Sequence, residues 1–131
     1  MSAPFDAGRR RVLLAAVGLA TSVAIGPRAV GLVLDRLGAA DQVSTALRTL
    51  VPHRESAADL GRAYLETAAA EASAMRLASL IIGGTSVAPG REAARVALNI
   101  RADFAAGRVV TVRGWIVSRT EARLFALCAI G

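Results

Sequence analysis

Apolar residues recur along most of this chain with the spacing of helices rather than the alternation of strands. Val30, Val33, Leu34 and Leu37 stand at i, i+3, i+4 and i+7, which predicts a helix ended by Gly38. Asp41 is placed to cap a second short helix bearing Val43, Leu47 and Leu50 and stopped by Pro52. The longest helix is expected from Ser56 to Ile82. Leu60, Tyr64, Ala68, Glu71, Met75 and Ile82 lie near one stripe of it, and Glu55, Asp59, Arg62 and Glu66 line its wet side, spaced for weak ion pairs. Glu71 falls on the apolar stripe, where a helix edge reaching water is the expected setting.

Gly83-Gly84-Thr85-Ser86 reads as a loop. It is no phosphate cradle, because no Gly-Lys-Ser/Thr follows it. Pro89 is suited to the first turn of the next helix. That helix is expected to turn Ala93, Val96, Ile100 and Phe104 inward and to end with Gly107 in the left-handed C′ position. Residues 108–113 alternate Val110 and Val112 with Val109 and Thr111, a short extended link that reads as too small for a sheet. Ser118 and Glu121 have the spacing of a capping box. The last helix then carries Leu124, Phe125, Leu127, Cys128 and Ile130. The expected fold is all-α: a small bundle of four to five helices after an N-terminal signal helix, with one extended link near 108–113.

Composition narrows the function classes. The hydrophobic share is 54%, much of it alanine, and aromatics are only 4%, which suits closely packed helices better than a deep aromatic pocket. All 16 basic side chains are arginine, a bias that a GC-rich coding sequence explains without a function. The formal charge of +6 falls to +4 once Arg9, Arg10, Arg11 and Asp6 are removed with a leader. The remaining charge is spread along the chain, whereas nucleic-acid binding calls for a clustered stripe. The single cysteine, Cys128, allows no internal disulfide, and its place on an apolar helix face suits a buried thiol.

No catalytic signature is present. His53 is the only histidine, no G-x-S-x-G elbow occurs, and one His with one Cys leaves no metal site of the usual kind. Neither an Asp-x-Asp-x-Asp calcium spacing nor a G-x-G-x-x-G dinucleotide fingerprint appears. The expectation is a non-enzyme without cofactor. An enzymatic alternative would use Asp103 or Glu121 as an acid/base.

The N-terminus carries an address. Arg9-Arg10-Arg11 precedes an uncharged apolar run from Val12 to Gly26, the arrangement of an export signal. That run is short for a bilayer, which needs about 20 residues. Ser22-Val23-Ala24 offers small residues for cleavage, so residues 1–24 read as the signal and 25–131 as a single helical domain. Gly8-Arg9-Arg10-Arg11-Val12-Leu13-Leu14 resembles the bacterial twin-arginine (Tat) signal through Arg9, Arg10 and Leu13; Val12, Leu14 and Gly8 depart from its usual flanks. An ordinary Sec signal is the alternative. The resemblance implies the twin-arginine translocase as a partner and the periplasm as destination, or retention at the inner membrane if the signal stays uncut. Membrane contact is expected through the signal segment only.

The densest stretch, from Ile100 to Arg123, holds Asp103, Phe104, the only tryptophan, the capping box, and Arg101, Arg108, Arg113, Arg119 and Arg123. Trp115 either plugs the core, the favoured alternative, or stands out as an interface anchor. Arg119 and Arg123 are four apart, and Arg119, in the first turn at the positive helix end, calls for a carboxylate partner: Glu121 or Asp103 within the chain, or a group on another protein. Trp115, Arg119 and Arg123 are therefore the candidate partner-binding residues.

The DFAAGRVV…GWIVSRTEARLFAL stretch resembles the C-terminal half of a group of small Tat-signal proteins of unassigned activity. In design, though not in motif, the chain is similar to the small Tat-bearing subunits that escort flavin dehydrogenases out of the cell. These resemblances imply a non-catalytic accessory subunit that binds a larger cofactor-containing oxidoreductase in the periplasm. A stand-alone binding or stress protein of the cell envelope is the alternative.

Overall fold

The computed structural model describes residues 27–84 and 87–131. The signal residues Arg9, Arg10 and Leu13 and the loop residues Thr85 and Ser86 lie outside the described residues. Helices dominate: α1 (Pro27–Thr49), α2 (Arg54–Thr67), α3 (Ala74–Ile82), α4 (Glu92–Ala105) and α5 (Arg119–Ala129). A 3-10 turn spans Ala69–Glu71 between α2 and α3, and two short strands, β1 (Val109–Val112) and β2 (Trp115–Ser118), separate α4 from α5. Among the described residues no helix is long and apolar enough to cross a membrane.

The core gathers around α5, which packs most extensively on α2 and also touches the other three helices. Leu124, Ala126 and Leu127 from α5 meet Leu47 from α1, Ala57 and Tyr64 from α2, Leu77 and Ile81 from α3, and Val96 from α4. Gly61 makes the α2–α5 approach possible. A Cβ there would overlap the backbone carbonyl of Phe125. Arg48, in the last turn of α1, donates from Nε to the Leu127 carbonyl at 3.0 Å and ties the end of α5 to the bundle.

Four expectations about the helices are corrected. Gly38 does not end a helix, and Asp41 does not begin one; both lie inside a continuous α1. A glycine within a helix costs about 1 kcal/mol relative to alanine, too little to break a segment in which alanine and leucine surround it. Conversely, the helix expected over Ser56–Ile82 is broken in two. Ser73 caps α3, its hydroxyl accepting the Arg76 N–H at 3.1 Å, and the chain turns through Ala69–Glu71 to bring α3 back onto the core. Pro89 lies three residues before Glu92, where α4 begins, rather than in its first turn. The Arg91 N–H donates to the Ala88 carbonyl at 3.0 Å, so Pro89 and Gly90 (φ 81°) form the centre of a turn that precedes α4.

Two terminus signals are present as read. Gly107 (φ 68°) closes α4 in a Schellman arrangement, with Gly107 N–H on the Phe104 carbonyl and Arg108 N–H on the Asp103 carbonyl. The capping box opens α5: Ser118 Oγ accepts the Glu121 N–H at 3.1 Å, and Glu121 Oε2 accepts the Ser118 N–H at 2.8 Å.

Candidate functional site

The expected extended link is half of a hairpin. β1 and β2 pair antiparallel with Val109 opposite Ser118, Val110 opposite Val117, Thr111 opposite Ile116 and Val112 opposite Trp115. Arg113 (φ 48°) and Gly114 (φ 83°) form the two-residue turn. Positive φ at both positions is the type I′ geometry, whose twist matches that of the flanking strands. Glycine adopts it freely; Arg113 is the only non-glycine with positive φ among the described residues.

Alternation along the hairpin sorts its side chains. Val110, Val112, Val117 and Trp115 share one face, of which Val112 is buried and Val110 and Val117 are half-buried against the bundle. Trp115, next to the turn, reaches past the bundle and is 68% exposed. Trp115 therefore does not plug the core, because its pairing with Val112 puts it at the tip. Ile116, on the opposite face, is 63% exposed, and Val109 on that face is exposed as well.

Asp103 holds the base of this hairpin. Helical spacing would have turned Phe104 inward, but Phe104 is 49% exposed and Asp103 is buried in its place. The carboxylate is paid for by its donors: Oδ2 accepts the Thr120 N–H at 2.8 Å and the Thr120 hydroxyl at 2.7 Å, and Oδ1 accepts Arg108 Nε at 2.7 Å. The Arg119 N–H also donates to the Arg108 carbonyl at 3.0 Å. One side chain thus clamps the end of α4, the first residue of the hairpin approach and the first turn of α5. Burial alone would raise the Asp103 pKa, yet the hydrogen bonds from Thr120 and Arg108 together outweigh it and hold the acid below its ordinary value. Asp103 stays ionised and its oxygens are engaged, a poor state for a general acid.

Arg123 has its carboxylate inside the chain, on Glu71. Its Nη2 and Nε donate to Glu71 Oε1 and Oε2 at 2.8 and 3.0 Å, and the Tyr64 hydroxyl donates to Oε2 at 2.8 Å. The Arg123 and Glu71 side chains are only 15% and 21% exposed. Glu71 sits in the 3-10 turn, so its expected place on a water-facing helix edge is also corrected. Burial pushes the Glu71 pKa up, but Arg123 and Tyr64 overcome this and leave it lowered. Burial, then the Glu71 carboxylate, pushes the Tyr64 phenol up to about 12. Arg119 is half-buried and forms no salt bridge among the described residues. Glu121, the other candidate acid, is engaged in the capping box.

Cys128 is half-buried, and burial raises its thiol pKa against a smaller pull from Arg48 and Arg54. His53 is exposed ahead of α2 and makes no side-chain cap. Among the described residues no group of three His, Cys, Asp or Glu side chains could hold a metal ion, and no buried side-chain nitrogen or oxygen lacks a hydrogen-bond partner. Of the candidate partner-binding residues, then, Trp115 is free to meet another molecule, Arg119 is partly so, and Arg123 is engaged with Glu71. Ile116 was not singled out from the sequence; the V-T-V-R-G-W-I-V alternation about Arg113-Gly114 is the signal that would have found it. Compared with known protein families, curated proteins and solved structures, the chain matches none.

Proposed function

We propose that this chain is a non-catalytic accessory subunit that binds a larger protein through its β1–β2 hairpin, with Trp115 and Ile116 as the anchors and Arg119 at the rim. The observation that carries this reading is the exposure of Trp115 and Ile116 on a hairpin whose base is clamped by Asp103. A tryptophan held out on a rigid support loses little entropy when it enters a partner's pocket, and tryptophan is enriched among the residues that dominate binding energy. The carboxylates that could have served an enzyme are engaged in holding the fold together.

The twin-arginine-like signal extends the proposal to the partner's kind. Tat carries folded cargo, so such a leader suits co-export with a folded, cofactor-containing oxidoreductase that has no leader of its own. Mild purification of the tagged chain from the periplasm of its native host tests this. Recovery of a larger cofactor-bearing subunit in fixed proportion is the expected result, and a clean monomer contradicts it.

A further inference from the structure

Helix α4 separates its charges by side. Its two carboxylates, half-buried Glu92 and buried Asp103, lie with Val96, Asn99 and Ile100 on the side turned to the bundle. By helical spacing Ala94, Leu98 and Ala105 form the centre of the opposite side, and all three are exposed, Leu98 at 58%. Arg91, at the N-cap, and Arg101 flank that centre in solvent, with half-buried Arg95 beside them. Among the described residues none of these three arginines forms a salt bridge. A shallow groove lined by Val87, Ala88, Arg91, Ala94, Arg95 and Leu98 runs along this side, apolar in its floor and cationic at its rim.

Arg91 stands at the positive end of the helix dipole, where the first turn's one carboxylate, Glu92, is half-buried on the side turned to the bundle. A protein interface usually has a large aromatic anchor at its centre; the hairpin has one, whereas the middle of this face is alanine and one leucine. A cationic rim about a modest apolar strip fits the boundary of an anionic bilayer, with guanidinium groups among phosphates and Leu98 toward the acyl chains. We propose that the outer face of α4 docks on an anionic phospholipid surface. This docking is separate from the hairpin and stands or falls independently of the partner proposed for it.

The test places an environment-sensitive fluorophore on the full chain at Leu98→Cys, with Cys128→Ser removing the native thiol. A local label is needed because the signal segment is itself apolar. Vesicles of phosphatidylcholine with phosphatidylglycerol should shift the label's emission to the blue, and brominated lipid should quench it. Vesicles of phosphatidylcholine alone should leave it unchanged, as should a label at Ser56→Cys on α2. Adding Arg91→Gln, Arg95→Gln and Arg101→Gln should weaken the response by at least about tenfold, since each arginine near an anionic surface adds an appreciable share of the attraction; circular dichroism of each variant confirms the fold. A position-98 label that stays in water while the chain sediments with vesicles overturns the proposal. Equal responses to both lipids, or indifference to the three substitutions, do so too. A label silent on vesicles but protected in a protein complex assigns the face to a protein and also overturns it.

Discussion

The Arg123 guanidinium grips both carboxylate oxygens of Glu71, a residue 52 positions earlier, and thereby fastens α5 to the turn between α2 and α3. The pair is bidentate and mostly removed from solvent, and Tyr64 completes it with a third hydrogen bond. Pairs of this geometry resist substitution by a single-point cation.

Arg123→Ala should destabilise the fold by about 3 kcal/mol, the lower end for breaking a buried pair, because both side chains keep some solvent contact. Arg123→Lys should recover only part of the loss. Urea unfolding of the three proteins measures both. An unchanged midpoint for Arg123→Ala would mean that the pair does not hold the turn.

Glu71 and Tyr64 of this cluster, with Asp103 at the base of the hairpin, predict a pH dependence on both sides of neutrality. Glu71 and Asp103 have pKa values lowered from 4.5 and 3.8, so their stabilisation is full above those ordinary values and fades as pH falls below them. Tyr64 works in the opposite sense. Its pKa is raised from 10.0 to about 12, so the stabilisation of the neutral phenol is full below 10.0 and is lost as pH rises through about 12. Tyr64 is the only tyrosine, so tyrosinate absorbance reports it alone. The titration midpoint should lie near 12 in the folded chain and near 10.0 in urea; equal midpoints contradict the placement of the hydroxyl on Glu71.

Gly61→Ala should destabilise the chain although alanine is the better helix former by about 1 kcal/mol. The added Cβ has the Phe125 carbonyl in its way, and backbone on both sides cannot step aside cheaply. A net loss of about 1–3 kcal/mol, the usual range for overpacking, is expected in thermal unfolding. A raised midpoint would show that α2 and α5 are further apart.

Replacing Arg9 and Arg10 together with Lys should stop export if the leader is read by the twin-arginine route, which requires the guanidinium pair. Sec needs only a positive n-region and should tolerate the exchange. Cell fractionation of the native host gives the answer, and normal periplasmic accumulation of the Lys-Lys variant eliminates the twin-arginine reading.

The elements readable from the sequence were those with local chemistry. Ser118 and Glu121 announce the start of α5, and Gly107 the end of α4, because caps are settled by residues three or four apart. The break at Ala68–Ser73 was hidden because that run of alanines has no Gly or Pro, and what favours the turn is Glu71 meeting Arg123 from a distant helix. The inversion of Phe104 and Asp103 has the same origin. Periodicity assigns the larger apolar side chain to the core, whereas the core side of α4 offers Thr120 and Arg108 as donors to a carboxylate. The hairpin was only half visible, since Arg113 is a residue that seldom adopts positive φ. Of the two places open to Trp115, the turn decides for the tip, because it pairs Trp115 with Val112 at the end of the hairpin.

Trp115→Ala is the most direct test of the hairpin as the binding face. Side by side, the tagged wild-type and variant chains are purified from the native host under mild conditions, and the retained partner is quantified against the chain. With the indole 68% exposed, the variant should accumulate and melt as the wild type does. It should lose partner binding by about 2 kcal/mol or more, the size expected of a hot-spot residue. Undiminished recovery of the partner with Trp115→Ala would contradict the account.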